Sequence, residues 1–321
     1  MRRVGRFPCS TPSVPEAVIS LTDFHAEPTA LIGVDWGTSN MRVMRLAAGG
    51  RILEQRADAR GAGELEPNEF GAVLQAVAGD WLGSAPVLIC GMAGARGRWR
   101  EAPYVACPAR LEGVAAGLVR PESTLEVLIV PGVAEFGADG LSDVMRGEET
   151  QVLGLADSGF DGWVIGPGTH SKWIRMEGGA IISFRTFATG ELFAAVRERS
   201  ILAGGAAPGD GADDEAFRQG VERGLAEPAL SAALFSVRVG LLAGRLTTGS
   251  VPDYLSGLLI GAEIGAGRGA VRAGGVTLIG AADLVRRYAL ALSIAGLEEA
   301  EICDATAVTA RGLWRIWEAR S

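Results

Sequence analysis

Short apolar segments that end in glycine-containing turns recur along this chain. Residues 31–34 are apolar and lead into Asp35, and an apolar alternation resumes at Met41, so the pattern predicts two strands joined by a tight hairpin. A glycine and small polar side chains form the predicted tip, namely Gly37, Thr38, Ser39 and Asn40. Backbone N–H groups and hydroxyls that converge at such a tip suit a phosphate, and Asp35 suits a hydrated Mg²⁺ on that phosphate. An ordinary hairpin, in which these residues serve only the turn, is the alternative.

A second segment repeats this layout in the other half of the chain. Residues 162–165 form a predicted strand that runs into a Gly-x-Gly-Thr turn and a further strand. Directly after this turn come Lys172, the only lysine of the chain, and His170, the only histidine outside residues 1–30. A compact ammonium group beside glycine N–H groups suits a phosphate oxygen. The residues predicted to contact phosphates from this side are Gly168, Thr169, His170 and Lys172.

Two adjacent glutamates lie between the hairpins, in a segment predicted to be helical over residues 141–155. On such a helix Glu148 shares a face with Val144 and Val152, whereas Glu149 points about 100° away. We therefore expect Glu148 to face inward, on a buried stripe where solvation alone does not explain a carboxylate, with Glu149 as the other candidate. Backbone N–H groups at the helix start are expected to keep this carboxylate ionised. A glutamate pair that only caps the helix is the alternative.

An arginine-rich loop, residues 91–104, follows the buried strand predicted at residues 86–90. Ligands of α/β sheets bind at the carboxyl ends of strands, where this loop begins. Its arginines suit bidentate contacts with a substrate carboxylate, and they are Arg96, Arg98 and Arg100. A solvated basic loop is the alternative.

The remaining pattern predicts a series of helices at residues 66–82, 189–201, 214–224, 229–246, 253–265 and 305–319, with a flexible loop at residues 204–213. In the helix at 253–265 a glycine recurs every four residues, at Gly257, Gly261 and Gly265. This stripe lets another backbone approach closely, and we expect the helix in the cleft between two domains. The strand at 276–280 ends in a turn containing Gly280 and Ala281 that suits a nucleoside, or that merely connects a strand to a helix.

The composition is that of an ordinary globular protein, with 48% of the 321 residues hydrophobic and 21% charged. The formal net charge of −8 argues against nucleic-acid binding, which normally needs a basic face. Four cysteines without CxxC spacing indicate thiols in a reducing compartment. No apolar run reaches the roughly 18 residues that a membrane span needs, and residues 1–30 lack the apolar core of a signal peptide. We therefore expect a cytoplasmic protein.

Five motifs together resemble the 2-dehydro-3-deoxygalactonokinase family of actin-like sugar kinases. They are residues 34–42, 144–151, 167–173, 184–192 and 255–263, and the resemblance covers about residues 31–318. It implies an α/β, two-domain ribonuclease H-like fold of the actin-like ATPase and sugar kinase type, with an interdomain cleft. The implied segments are a loose extension (1–30), a first domain (31–158), a second domain (159–302) and a C-terminal segment (303–321) that packs back on the first domain.

The resemblance also implies a reaction in galactonate and galactose catabolism. In it ATP phosphorylates the terminal hydroxyl of 2-dehydro-3-deoxy-D-galactonate and gives the 6-phosphate. The implied cofactors are ATP and Mg²⁺, and the implied partner is a small sugar acid, with neither nucleic acid nor membrane and with a homodimer as an option. Catalytic residues are expected to be Glu148, Glu149 and Asp35, the last also holding the metal. Substrate contacts are expected from Arg96, Arg98, Trp99, Arg100, Arg146 and Arg185.

Departures from the family pattern leave substrate selectivity open. Ala95 and Arg98 stand where the family often has Ser and Gly, so another sugar acid or an amino sugar is the alternative substrate. A non-catalytic sugar-sensing regulator on the same fold is an alternative from a different class. A dinucleotide-dependent oxidoreductase is disfavoured, because no Gly-x-Gly-x-x-Gly follows the first strand.

Overall fold

The computed structural model describes residues 27–156, 160–203, 213–271, 275–297 and 300–320. The first half contains, in chain order, β1 (Leu31–Trp36), β2 (Met41–Leu46), β3 (Ile52–Asp58), α1 (Phe70–Ala78), β4 (Val87–Gly91), β5 (Tyr104–Ala106), α2 (Leu111–Ala116), β6 (Val127–Ile129), β7 (Gly132–Gly137), β8 (Gly140–Met145) and α3 (Glu148–Leu155). The second half contains β9 (Gly162–Gly166), β10 (Ser171–Glu177), β11 (Ala180–Phe187), α4 (Thr189–Arg199), α5 (Asp214–Ala226), α6 (Leu230–Leu242), α7 (Val251–Gly267), β12 (Val276–Gly280), α8 (Ala282–Ile294), β13 (Glu301–Asp304) and α9 (Ala305–Glu318).

Two five-stranded sheets of the same design form the two halves. Their strand orders are β3-β2-β1-β4-β6 and β11-β10-β9-β12-β13. In each sheet the first three strands pair antiparallel as consecutive hairpins, and the other two strands join in parallel. This order, present twice, is that of the ribonuclease H-like, actin-like fold. The predicted α/β fold class is confirmed.

A shared apolar core lies between the two sheets. It includes Leu31 and Met44 from the first sheet, Val164 and Ile174 from the second, and Leu313 from α9, each at most 1% exposed. The outer face of the first sheet packs on α1, and the outer face of the second packs on α5, α7 and α8. Helices therefore cover both faces of each sheet, as parallel strands that are buried on both sides require.

The last helix, α9, returns to the first half of the chain. A Cβ on Gly33 of β1 would lie 2.9 Å from Leu313, and one on Gly50 would lie 2.9 Å from Trp314, so α9 rests closely on the β1–β2 side. It also crosses α3 where Gly154 and Gly312 face the opposite backbone. The predicted boundary at residues 158 and 159 lies outside the described residues, and the domain limits stay a prediction.

The glycine stripe of α7 has a different role from the one expected. Gly257 and Gly261 lie against backbone atoms of Phe217 and Val221 on α5, and Gly220 of α5 lies against α7 in return. The expectation that this helix lies in the interdomain cleft was wrong, because the stripe serves close packing of two helices within the second half. Small residues on both helices allow this approach, since any Cβ would overlap a facing carbonyl.

The segment predicted as one helix over residues 141–155 is a strand followed by a shorter helix. β8 ends at Met145, and α3 begins at Glu148 after Gly147, whose φ of 109° lies in the region that favours glycine. Val144 is on the strand and exposed, so the expected common face with Glu148 was wrong. Residues 140–145 pair with the neighbouring strand β7 in a tight hairpin, and this period-two pairing decides the region.

A small third sheet, β5-β7-β8, links the two halves. Asp143 of β8 accepts hydrogen bonds from the backbone N–H (2.7 Å) and the hydroxyl (2.8 Å) of Thr186 in β11. Glu135 of β7 accepts a hydrogen bond of 2.7 Å from the backbone N–H of Phe184. The edge of the second large sheet is thereby joined to a sheet that belongs to the first half.

Other sequence expectations differ from the structure only in their bounds. The first predicted helix, residues 66–82, is helical over Phe70–Ala78. The loop expected at residues 204–213 lies almost entirely outside the described residues. Within the described ranges, none of the helices is both long and apolar enough to cross a membrane.

Candidate active site

One cleft of 460 Å³ is lined by residues from both halves of the chain. It brings together the end of β1, the start of α3, the turn between β9 and β10, and the end of β12. Of the predicted site residues it contains Asp35, Gly37, Thr38, Arg146, Glu148, Gly168, Thr169, His170, Lys172 and Gly280. Residues more than 240 positions apart thus meet in one place. The two hairpins must meet in this way if both are to contact the same phosphates.

The first hairpin reaches the cleft through the end of its strand. β1 and β2 pair as far as Trp36 and Met41, so Asp35 lies within the ladder and residues 37–40 form the tip. Ser39 and Asn40 are exposed and do not line the cleft. The structure therefore places only the first part of the predicted tip, through Thr38, beside the other site residues.

A Gly-Ala-Gly segment, residues 61–63, holds this tip in place. The backbone N–H groups of Ala62 and Gly63 each donate a hydrogen bond of 2.9 Å, to the carbonyls of Gly37 and Thr38 respectively. Gly61 lies so close to Thr38 that a Cβ would overlap its carbonyl oxygen. Our sequence reasoning missed this support, although two glycines flanking an alanine were a visible signal for close backbone approach.

Asp35 lies near the end of β1, opposite an arginine of β2. Its Oδ2 lies 3.6 Å from Nη1 of Arg42, the residue opposite it on β2. Burial raises the pKa of Asp35, and the Arg42 guanidinium opposes this. Within the described ranges, no group of three or more His, Cys, Asp or Glu side chains is placed to hold a metal ion. This donor set fits Mg²⁺, which commonly takes one carboxylate and obtains its other ligands from phosphate and water.

The second hairpin tip rests on the start of α4. The backbone N–H of Glu191 donates to the carbonyl of Thr169 at 3.0 Å, and its carboxylate lies 2.7 Å from Nε2 of His170. Gly190 lies against the carbonyl of Gly168, where a Cβ would overlap it. Lys172 follows on β10, lines the cleft and is 5% exposed. Lys172 therefore reaches the cleft from a strand of the second sheet.

The two glutamates at the start of α3 differ in position. Glu148 lines the cleft, and its Oε2 accepts a hydrogen bond of 3.2 Å from the backbone N–H of Arg146. Burial raises the pKa of Glu148, and the positive charge of Lys172 opposes this rise. The backbone N–H groups at the helix start lower this pKa, as expected, but burial acts against them, and the expectation that Glu148 is ionised at neutral pH stays a prediction.

Glu149 is fully buried behind Glu148. Its Oε2 accepts a hydrogen bond of 2.6 Å from the Gly147 N–H, and its Oε1 accepts one of 2.9 Å from the Thr150 hydroxyl. Burial, followed by repulsion from Glu148, raises the pKa of Glu149 to about 7. Both carboxylate oxygens are occupied, and Glu149 does not line the cleft.

The arginine-rich loop does not turn its arginines into the cleft. Trp99 packs against Trp36 and Phe70, with ring centroids 6.1 and 5.7 Å away, and this anchors the loop on the outer face of the first sheet. Arg98 donates a hydrogen bond of 3.0 Å to the carbonyl of Leu65, also on that face. The expected substrate contacts of this loop are therefore not brought together at the site.

Three further arginines that were expected to contact substrate also lie outside the cleft. Arg96 is 91% exposed at its side chain and lies 3.6 Å from Glu101. Arg100 is exposed and outside the cleft lining. Arg185 is exposed on β11, with its guanidinium 5.0 Å from the ring centre of Phe187. Solvation of a charge on an exposed edge explains these positions without a ligand.

Arg146 is the arginine that does line the cleft. Its Nη2 donates a hydrogen bond of 2.8 Å to the carbonyl of Ala102, and its guanidinium lies 4.5 Å from the ring centre of Tyr104. Nε and Nη1 are buried, and neither has a hydrogen-bond partner among the described residues. Nη1 lies against Gly94, where a Cβ would be 2.8 Å from it. A buried donor left unpaired typically costs about 1–3 kcal/mol.

A second cavity of 380 Å³ adjoins the cleft at Gly168. It is lined on one side by Asp283 and Leu284, which follow the predicted nucleoside turn, and on the other by Thr189 and Gly190 at the start of α4. Gly280 lines the cleft, whereas Ala281 lines neither cavity. The turn thus leads from one cavity to the other.

Several lining residues were not identified from the sequence. Gln151 follows Glu148 by one helical turn, and Met92, Tyr104 and Val144 give the cleft an apolar side. Gln151 could have been found only if the helix had been known to begin at Glu148. The apolar residues carry no sequence signal of their own, since Tyr104 and Val144 come from different strands of the small sheet.

Comparison with known proteins shows that this chain is similar to members of one enzyme family. The model of a family described as 2-keto-3-deoxy-galactonokinase matches residues 35–316. A 2-dehydro-3-deoxygalactonokinase of Escherichia coli (strain K12) is 36% identical over 279 residues, which are 86% of this chain and 92% of that protein. A Rhizobium meliloti protein that carries the same name with the qualifier probable is 38% identical over 296 residues, or 88% of this chain and 96% of that protein. A crystal structure from Sinorhizobium meliloti, provisionally described as this enzyme, has a TM-score of 0.82 at 36% identity and covers 90% of this chain and 98% of that one.

Proposed function

Because this chain belongs to the 2-keto-3-deoxy-galactonokinase family, a family of sugar kinases, we propose that it phosphorylates 2-dehydro-3-deoxy-D-galactonate with ATP. The product is 2-dehydro-3-deoxy-6-phosphogalactonate, an intermediate of galactonate catabolism. The observation that carries the proposal is the meeting of both glycine hairpins and the start of α3 at one cleft. This arrangement supplies phosphate contacts from two sides and a carboxylate beside them.

The triphosphate of ATP is assigned to the space between the hairpin tips. Gly37 and Thr38 would contact it from one side, and Gly168, Thr169 and Lys172 from the other. The adjoining cavity of 380 Å³ suits the nucleoside, because it opens from Gly168 and combines apolar with polar walls. Phosphoryl transfer depends chiefly on such positioning and on charge neutralisation.

Asp35 is the residue that would hold Mg²⁺. The ion would neutralise negative charge on the phosphates as phosphoryl transfer proceeds. The carboxylate lies at the end of β1, beside the tip that is assigned to the phosphates.

Glu148 is the base in this proposal, and Glu149 supports it. Glu148 lines the cleft, and its hydrogen bond from the Arg146 N–H holds Oε2 at the helix start. It would accept the proton of the terminal hydroxyl while that oxygen bonds to the γ-phosphorus and the bond from γ-phosphorus to ADP breaks. Glu149, with both oxygens occupied, holds the turn at Gly147 in place.

The carboxylate end of the substrate is assigned to Arg146. It is the one predicted substrate arginine that lines the cleft, and a guanidinium pairs strongly with a carboxylate. The apolar side formed by Tyr104 and Val144 suits the methylene group of a 3-deoxy sugar acid.

A coupled assay of ADP release across a panel of sugars tests the proposal. We expect turnover with 2-dehydro-3-deoxy-galactonate to exceed that with plain hexoses and amino sugars by at least about 10²-fold, because only the acid satisfies Arg146. Glu148→Gln is expected to lose about 10²-fold or more in kcat/KM at unchanged ATP affinity. Glu149→Gln is the matched control and should lose much less. Preferred turnover of a hexose, or wild-type turnover in Glu148→Gln, would contradict the assignment.

A further inference from the structure

Glu263 of α7 is a buried carboxylate that the proposed mechanism does not use. It is 3% exposed and lines neither the cleft nor the adjoining cavity. Among the residues that the structure describes, no lysine, arginine or histidine nitrogen lies within 4.0 Å of its oxygens. Burial raises the pKa of Glu263, and hydrogen-bond donors act in the opposite direction. A buried carboxylate without a cation is costly, so stability alone does not account for it.

Four neutral donors surround this carboxylate, two on each oxygen. Oε1 accepts hydrogen bonds of 2.7 Å from the Ser171 hydroxyl and from Nε1 of Trp173. Oε2 accepts one of 2.8 Å from the Tyr288 hydroxyl and another from the Thr189 hydroxyl. The donors come from β10, α4 and α8, so a single side chain of α7 joins four elements.

Two of these donors lie at the starts of the two elements that contact the second hairpin tip. Ser171 is the first residue of β10 and directly precedes Lys172, and Thr189 is the first residue of α4. The next two residues of α4 are the ones that contact the tip, through Gly190 against Gly168 and through Glu191 against Thr169 and His170. The Glu263 carboxylate therefore holds both segments that support the tip, the start of β10 and the start of α4.

The helix that carries Glu263 is a rigid base. Gly257 and Gly261 of α7 approach the backbone of α5 so closely that no side chain would fit between them. Close backbone packing of this kind limits the freedom of α7 to shift. A residue fixed on such an element can position others accurately.

We infer that Glu263 is a positioning residue that fixes the second hairpin and Lys172 for the triphosphate of ATP. This inference rests on the proposed function, in which that hairpin contacts the phosphates. Glu263 acts through Ser171 and Thr189 and does not contact ATP itself. The expected consequence is a selective effect on ATP binding, with the sugar-acid end of the cleft unaffected.

The test uses Glu263→Gln and a matched pair of variants on the same oxygen. Ser171→Ala and Trp173→Phe each remove one donor from Oε1, but only Ser171 adjoins the tip, whereas the Trp173 side chain packs in the apolar core of the second half. ATP affinity is measured by titration calorimetry with the full chain, and KM for the sugar acid is measured by ADP release. We expect Glu263→Gln and Ser171→Ala to weaken ATP binding about tenfold, with KM for the sugar acid within about threefold of wild type.

The remaining comparisons separate positioning from loss of stability. Trp173→Phe should lower the Tm while ATP affinity stays within about threefold of wild type, and the double variant of Ser171 and Glu263 should be less than additive. Unchanged ATP affinity in Ser171→Ala would overturn the inference even if Glu263→Gln failed to fold. ATP binding without turnover of any sugar acid would contradict the proposed substrate only, whereas a wild-type protein that does not bind ATP would overturn both.

Discussion

At the scale of single residues, the two glutamates at the start of α3 show how position separates identical side chains. Glu148 lines the cleft, whereas Glu149 has both oxygens occupied and is fully buried. Two carboxylates this close titrate as a coupled pair. The charge of Glu148 contributes, after burial, to the raised pKa of Glu149.

This difference predicts a pH-dependent stability that Glu149→Gln removes. The pKa of Glu149 rises from 4.5 to about 7 on folding, so between these values the folded protein holds a proton that the unfolded chain has lost. The free energy of unfolding then falls as the pH rises through this interval, by a few kcal/mol at most. We expect Tm to fall more steeply from pH 5 to 8 in wild type than in Glu149→Gln. Glu198→Gln, on exposed α4, is the control and should keep the wild-type slope; parallel slopes in wild type and Glu149→Gln would contradict the prediction.

At the scale of elements, glycine pairs allow helices to cross at backbone distance in two places. α5 meets α7 through Gly220 and Gly257, and α3 meets α9 through Gly154 and Gly312. The second crossing matters for the site, because α3 begins with Glu148 and its orientation is held by α9. The C-terminal helix thus supports the proposed base from behind.

Gly312→Ala is expected to destabilise the protein through this crossing. A Cβ on Gly312 would overlap the carbonyl oxygen of Thr150, so α9 must move away from α3. Overpacking of this kind typically costs about 1–3 kcal/mol, measured as the free energy of unfolding in urea. Gly269→Ala is the matched control, because a Cβ there meets nothing within 4 Å. Equal stabilities of the two variants would show that the helices separate without cost.

At the scale of the whole molecule, the two halves are connected near the substrate end of the cleft. The small sheet carries Tyr104 and Val144 into the cleft and is joined to the second large sheet by Asp143 and Glu135. These carboxylates accept hydrogen bonds from the backbone of β11, so they set the position of one half relative to the other. If the proposed substrate site is right, substrate binding at the small sheet depends on this attachment to the second half of the chain.

Asp143→Asn is expected to weaken binding of the sugar acid selectively. An amide keeps only one oxygen to accept the two hydrogen bonds from Thr186, so β8 loses part of its attachment. We expect KM for the sugar acid to rise about three- to tenfold while KM for ATP stays near the wild-type value. Asp139→Asn, exposed in the turn between β7 and β8, is the control and should leave both constants unchanged. Equal rises of both KM values in Asp143→Asn would argue for a general loss of structure.

Much of the frame of this protein was predictable from local pattern. Period-two alternation around glycine turns identified both hairpins, because strand pairing across a short turn involves neighbours in sequence. The single lysine, Lys172, stood out in an arginine-rich chain and lies in the cleft. The repeated strand–turn–strand layout predicted two related halves, as the two sheets show.

Only the tertiary structure decided which side chains meet. Trp99 turned the arginine loop outward by packing on Trp36 and Phe70, which no local pattern indicates. The face of Glu148 depended on where α3 begins, and that was set by the pairing of β8 with a strand outside the helix. Glu263 and its partners are 25 to 92 residues apart in sequence. Local propensity acts over a few residues, whereas burial and hydrogen bonding between distant segments are determined only when the chain has folded.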